Sequence, residues 1–311
     1  MILDPLERVI VSSLGWVDGG ALWCLDVASG RIESVRLGDA RYLTLCAGRD
    51  GYFSVVHHHD GETVRVSAHA FDAPGVELSH CLLTGTERRI EGDLAVWAHL
   101  PRYYVAFLVQ PELRAYVLVD VDTAKGPAVQ PLGWFDSHYD PPYQSPIGAT
   151  EVPGSHLVAI SIQRDSRPVL HDPASGRKVG EIVLAGNHGN PALHFSRDGS
   201  ALYADDYDTV LRLDPRDWRV LARRRVQGAF TGTAEFIGQF AFDPDERVCA
   251  VARPFSGDVV GLDPTTLRIR YRARLGQQPL EVAVLRDRRV YARDWKTGAL
   301  LTGSLRRAWF V

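Results

Sequence analysis

The chain has 311 residues, of which 45% are hydrophobic and 23% charged, and its formal net charge is -3. This composition is ordinary for a globular protein and supplies enough apolar material for a large core. The small negative charge excludes a global basic field that would hold nucleic acid or an anionic membrane, and no run of about 18 apolar residues predicts a membrane span.

The first eight residues lack the basic start and apolar run of a secretory signal, so we expect a cytoplasmic protein. The four cysteines, Cys24, Cys46, Cys81 and Cys249, lie far apart in apolar runs without metal-type spacing. We therefore expect buried, reduced thiols. Nearly all the basic residues are arginine, which indicates a GC-rich, bacterial genome.

One pattern recurs along the chain: an apolar strand ends in Asp, a turn rich in Pro, Ser, Thr and Gly follows, and a second strand closes near Leu-Gly. The aspartates that mark it are Asp26, Asp72, Asp120, Asp172, Asp214 and Asp263, which are 42 to 52 residues apart. A four-stranded propeller blade takes about 40–50 residues. The sequence therefore predicts an all-β fold, a β-propeller of seven four-stranded blades, with six blades as the alternative.

Each copy divides into strands a to d, counted outward from the propeller axis. The b strands are almost wholly apolar, which is typical of strands buried between neighbouring blades. Two clear copies are predicted with a at Ala192–Ser196 and Ile237–Phe242, b at Leu202–Ala204 and Val248–Ala252, c at Val210–Leu213 and Val259–Leu262, and d at Arg219–Val226 and Arg268–Leu275.

Closure of the ring depends on the two ends of the chain. The first copy shows strands b, c and d with no inner strand before them. We expect a single domain over residues 1–311, closed by pairing of its N- and C-terminal segments, with Trp309–Val311 at the seam.

The Asp-Pro-x-Ser/Thr-Gly-Arg turns resemble those of the YVTN-type and quinoprotein-amine-dehydrogenase-like propellers of bacteria. The resemblance covers nearly the whole chain and implies the fold. That group includes enzymes, cofactor-free binders and scaffolds, so the resemblance implies no single activity.

In such a propeller the b–c and d–a loops gather around the axial funnel, and here they carry long polar and aromatic stretches. The predicted b–c loops include residues 57–60, 163–167, 205–208 and 253–258, and the predicted d–a loops include residues 133–144 and 186–190. The ligand-binding candidates are Trp16, Trp134, Tyr139, Tyr143, Gln144, Gln163, Asp206, Tyr207 and Phe255. A solvated loop surface without a ligand is the alternative.

Histidines in these loops suggest a metal. His57 and His59 are spaced to share a divalent ion, which is the only cofactor that the sequence suggests. The virginiamycin B lyase and gluconolactonase propellers hold such an ion on this face, although the spacing here does not match theirs closely. Packing at a strand end is the alternative for these histidines. The catalytic candidates are His138, His188, Arg164 and Arg253.

The arginines at positions 268, 270, 272 and 274 alternate along one outer strand. An anion patch is one interpretation, and protection against edge-to-edge aggregation is the other.

Three functional hypotheses remain open. The first is a binding module that takes a small molecule, peptide or partner protein in the funnel. The second is a metal-assisted lyase or hydrolase acting there on a small molecule, with an arginine stabilising negative charge. The third is a structural subunit of a larger enzyme. Neither nucleic acid nor a membrane is an expected partner.

Overall fold

The computed structural model describes most of the chain. The described residues are 1–3, 7, 9–13, 21–36, 42–47, 52–60, 63–70, 77–83, 95–99, 102–109, 113–120, 128–136, 146–162, 167–184, 192–226 and 236–308. Their regular structure consists of strands alone, and none of them forms a helix that is long and apolar enough to cross a membrane. Contacts divide the chain into two compact units, residues 2–183 and residues 184–311 with Met1.

Among its described residues, the unit of residues 2–183 contains four antiparallel sheets of four strands each, in which consecutive strands are neighbours. The first two sheets consist of β1 (Ile2–Leu3), β2 (Val9–Ser13), β3 (Ala21–Asp26) and β4 (Ile32–Arg36), and of β5 (Tyr42–Ala47), β6 (Tyr52–Asp60), β7 (Thr63–Ala70) and β8 (Glu77–Leu83). The next two consist of β9 (Ala95–His99), β10 (Arg102–Val109), β11 (Leu113–Asp120) and β12 (Ala128–Asp136), and of β13 (Pro146–Glu151), β14 (Val158–Ile162), β15 (Val169–Asp172) and β16 (Arg177–Glu181).

The unit of residues 184–311 contains three sheets among its described residues. They consist of β17 (Leu193–Phe195), β18 (Leu202–Asp206), β19 (Thr209–Leu213) and β20 (Val220–Arg225); of β21 (Phe240–Phe242), β22 (Cys249–Arg253), β23 (Asp258–Leu262), β24 (Ile269–Arg274) and β28 (Arg306–Arg307); and of β25 (Pro279–Val284), β26 (Arg289–Asp294) and β27 (Leu300–Ser304).

The Asp-tipped turns within the described residues share a backbone bond from the fourth residue after the Asp to the Asp carbonyl. In the turn after β3, the Asp26 carboxylate accepts bonds from the Ser29 backbone at 2.6 Å and from its hydroxyl at 2.7 Å, and Gly30 donates to the Asp26 carbonyl. The fourth residue after the Asp has a positive φ, which glycine adopts at least cost. The equivalent positions with positive φ are Gly30, Gly176, Trp218, Leu267 and Gly298.

The middle strands of the second unit are buried on both faces, as the apolar b strands predict. All five residues of β22 are buried. Cys249 and Val251 pack in a core shared with β18 and β19, whereas Ala250 and Ala252 pack in a core shared with β25 and β26. The alternation follows from the two-residue period of a strand. The sheet that contains β22 therefore has a separate core on each of its faces.

In the two copies of the repeat that the sequence analysis divided into strands a to d, each of the four predicted strands overlaps an observed strand. The first sheet differs from the prediction, because β1 precedes β2 and pairs with it: Ile2 lies opposite Val11, and Leu3 opposite Ile10. The expectation of no inner strand there was wrong, since a two-residue strand is too short to show a period. The predicted pairing of Trp309–Val311 and the weak copy at Asp72 lie outside the described residues.

Candidate functional site

Most candidates from the sequence fall outside the part of the chain that the structure describes. They are the catalytic candidates His138, His188 and Arg164 and the ligand-binding candidates Trp16, Tyr139, Tyr143, Gln144 and Gln163. Their roles stay predictions.

Five candidates lie in strands where the sequence predicted loops, namely His57, His59, Trp134, Asp206 and Arg253. His57 and His59 belong to β6 and lie opposite Val66 and Val64 of β7. Trp134 belongs to β12, which continues to Asp136. The loop assignment was wrong because pairing with β7 and with β11 extends β6 and β12 beyond the residues at which the sequence pattern placed the strand ends.

Asp206 is likewise the last residue of β18 and is 7% exposed, whereas Tyr207 forms the turn after it. Tyr207 has φ 56° and is 44% exposed. Its carbonyl accepts a bond from the Ile237 backbone at 2.7 Å, which ties this turn to the segment before β21.

The candidate Phe255 belongs to an aromatic cluster of three rings. Phe236, which precedes β21, lies 5.1 Å from Phe255 and 5.3 Å from Trp295 between ring centroids, at interplanar angles of 78° and 81°. Phe255 and Trp295 lie 6.4 Å apart and are each 50% exposed. Edge-to-face contacts of this kind fix the rings relative to one another while their outer surfaces stay open to solvent.

Short turns hold Phe255 and Trp295 in place. Phe255 lies in the turn between β22 and β23, which Gly257 closes with φ 65° and a bond to the Arg253 carbonyl at 3.1 Å. Trp295 follows Asp294, whose carboxylate accepts bonds from the backbones of Thr297 and Gln278, both at 2.8 Å. Rigid backbone turns limit the conformational entropy that these side chains would lose on binding.

A close approach between the segment before β21 and strand β25 fixes the backbone next to Phe236. The Gly238 backbone donates to the Ala252 carbonyl at 3.0 Å. A Cβ atom at Gly238 would lie 2.4 Å from the Leu280 carbonyl oxygen, so only glycine permits this approach. The segment that carries Phe236 is thus set by backbone contacts on both sides.

Arg253, predicted as a catalytic candidate, binds the buried carboxylate of Asp258 at the base of the turn that carries Phe255. Its Nε and Nη2 atoms donate to Asp258 at 2.8 and 2.6 Å, and Arg272 also donates to Asp258. The Asp258 side chain is fully buried, and that of Arg253 is 5% exposed. A bidentate pair in this setting holds the two ends of the turn together.

Asp205 is buried beside the free thiol of Cys249. Loss of hydration raises the pKa of Asp205 to about 7, although its carboxyl accepts a bond from the Ala192 backbone. Burial, with the nearby Asp205 charge, raises the pKa of the Cys249 thiol far above its ordinary value, so it is an unreactive core group.

Sequence reasoning found Phe255 but missed Phe236 and Trp295. The available signal was Trp295 inside an Asp-x-x-Thr-Gly turn, where an aromatic residue adds nothing to the turn itself. Within the described residues, no three His, Cys, Asp or Glu side chains are grouped to hold a metal ion.

No protein-family model and no curated protein matches the chain. Solved structures are similar over nearly its whole length. The β-propeller domain of Cps50 (Swd1) from Myceliophteria thermophila has a TM-score of 0.67 and 11% identity, over 98% of this chain and 95% of that one. U3-55K has a TM-score of 0.68 and 13% identity, over 98% and 94%. The periplasmic gluconolactonase PpgL of Pseudomonas aeruginosa has a TM-score of 0.64 and 18% identity, over 96% and 94%.

At these identities the likeness shows the fold alone. The described strands and these structural neighbours agree in that respect: the chain is an all-β protein with a β-propeller fold.

Proposed function

We propose that the chain is a binding propeller that docks a peptide segment of a partner protein on the aromatic cluster of Phe236, Phe255 and Trp295. The proposal includes seven blades closed by the chain termini, with the cluster at the funnel where the b–c and d–a loops meet. The single observation that carries it is the cluster itself, with two half-exposed rings on turns of two neighbouring sheets.

Exposed, pre-positioned aromatic rings are the side chains that contribute most to binding at protein interfaces. Solitary exposed apolar residues are common on protein surfaces and require no explanation, but three contacting rings form a contiguous patch. Outside the cluster, the other exposed large hydrophobic residues of the described part are Ile32, Val179, Val183, Tyr207 and Leu221.

A peptide fits this patch better than a small apolar ligand does. The rings lie on turns, and the exposed Lys296 follows Trp295 directly, so a partner would meet an apolar platform beside a cation. An extended peptide with an apolar side chain and a neighbouring carboxylate matches both features. Structural likeness to a chain of a multi-protein assembly, the Mitotic Checkpoint Complex, at a TM-score of 0.65 and 11% identity, supports a role in partnering.

Selection of a random-peptide display library on the intact protein tests the proposal. Peptides that bind wild type are expected to lose about tenfold or more in affinity when Phe255→Ser and Trp295→Ser are combined, because each aromatic anchor contributes more than 1 kcal/mol. Val183→Ser, which removes an exposed apolar residue elsewhere, should leave the affinity unchanged. Selected peptides that bind the double variant as tightly as wild type would contradict the proposal.

A metal-assisted hydrolase or lyase is the second candidate. The observation that favours it is the likeness to the gluconolactonase of P. aeruginosa, a lactone-hydrolysing enzyme by name. In this candidate His57 and His59, with His138 or His188, would hold a divalent ion that polarises a carbonyl or activates water, and Arg164 would stabilise negative charge.

Metal analysis of the purified protein separates the two candidates. The hydrolase candidate predicts a stoichiometric divalent ion that is lost in a His57→Ala variant, together with a fall in thermal stability because the ion binds only the folded state. A metal-free protein whose stability does not change in this variant would exclude it. Phe255→Ser is the control, since it leaves the histidines in place.

A further inference from the structure

The segment after β27 turns back onto the outer edge of the neighbouring sheet. Arg306 of β28 lies opposite Arg272 of β24, and the Ala308 backbone donates to the Arg270 carbonyl at 3.0 Å. Leu305, 4% exposed, anchors the turn in the core between the two sheets. The fold thereby places the arginines of β28 beside those of β24.

A cleft of about 600 Å³ lies between these strands. The residues that give it chemical character are Arg272, Arg274, Ser304, Arg306 and Arg307. Clefts that hold small molecules have volumes of about 300–1,000 Å³, so this one has the size of a ligand site.

The positive charge of this cleft is poorly compensated. Arg272 binds Asp258, but that carboxylate already binds Arg253. In the part of the chain that the structure describes, no carboxylate pairs with Arg274, Arg306 or Arg307. The cleft therefore collects guanidinium groups whose mutual repulsion a bound anion would relieve.

The outer strand of the neighbouring sheet, β20, also carries arginines. By strand register, Arg223 and Arg225 of β20 correspond to Arg272 and Arg274 of β24. Arg225 is neutralised there by Asp208. Protection of a sheet edge accounts for the arginines of β20. It does not account for Arg306 and Arg307 on β28 or for the volume of the cleft.

We propose that this cleft binds a small, multiply charged phosphorylated molecule. Guanidinium groups bind phosphate oxygens through paired hydrogen bonds, and the Ser304 hydroxyl adds a further donor. The site is independent of the aromatic cluster, since Phe236, Phe255 and Trp295 are not among the residues that line it.

Calorimetric titration of the full chain with inorganic pyrophosphate, at an ionic strength of about 0.1 M, tests the proposal. Saturable binding is expected, and it should weaken about tenfold or more when Arg306→Gln and Arg307→Gln are combined, because charge-assisted hydrogen bonds are lost. Arg223→Gln is the matched control and should bind as wild type. Citrate, titrated in parallel, should bind more weakly than pyrophosphate if the site selects phosphate.

Absence of saturable pyrophosphate binding to wild type overturns the proposal, as does equal binding to the double variant. Citrate binding at least as tight as pyrophosphate binding overturns the choice of a phosphorylated ligand. Circular dichroism confirms folding of the double variant, whose changed side chains are both exposed. The combined Phe255→Ser and Trp295→Ser variant should bind pyrophosphate normally, so failure of the peptide-binding proposal leaves this one intact.

Discussion

Replacing Asp258 with alanine is expected to destabilise the protein by about 3–5 kcal/mol, the usual cost of leaving a buried charge without its partner. The carboxylate is fully buried and accepts both bonds from Arg253, whose side chain is itself almost wholly buried. Arg272 also loses its partner, but it is 29% exposed and can reach water. The largest part of the cost therefore comes from Arg253.

A double-mutant cycle tests this prediction, with the free energy of unfolding of each variant measured by urea denaturation. Combining Asp258→Ala with Arg253→Met should cost less than Asp258→Ala alone, because the buried charge is removed with its partner. The exposed pair of Asp287 and Arg289 supplies a control: Asp287→Ala should cost less than about 1 kcal/mol. Additive effects of Asp258→Ala and Arg253→Met would show that the pair is not coupled.

The free energy of unfolding is expected to fall between about pH 4 and pH 7 through the titration of Asp205. Burial raises the pKa of this carboxyl from 3.8 to about 7 in the folded state. Between these values the unfolded chain releases the proton while the folded chain retains it, so stability is lost as pH rises. A shift of this size corresponds to roughly 4 kcal/mol.

Urea denaturation of wild type and Asp205→Asn at several pH values measures the effect. The amide oxygen of asparagine can still accept the bond from the Ala192 backbone, but the side chain does not titrate. The variant should therefore lose less stability than wild type over this range. Parallel curves for wild type and Asp205→Asn would contradict the prediction.

The strand order of the sheets was predictable because local chemistry repeats. An Asp that accepts bonds from the third residue after it forms the same kind of turn after more than one strand, as Asp26 and Asp263 show. The apolar run at residues 248–252 also predicted a strand buried on both faces. Strand ends were less predictable, because pairing continues through polar residues such as His57–His59 when the opposite strand supplies partners.

The candidate site was only partly predictable, because its members come from separate segments. Phe236, Phe255 and Trp295 belong to different turns, and their contact depends on how neighbouring sheets pack. The link between Arg253 and Asp258 could have been predicted, because the two residues are directly opposite in a hairpin. The pairing of β28 with β24 depends on Leu305, which packs in the core between the two sheets. No local sequence pattern indicates that packing.

The alternation in β22 has a consequence for how such a protein evolves. Cys249 and Val251 belong to one core, and Ala250 and Ala252 to the other. A change at any one of these positions weakens the packing of one core and leaves the core on the opposite face of the sheet intact. The residues of one core can therefore change without changes in the next core. The repeats along one chain can then keep the same strand arrangement while their sequences differ.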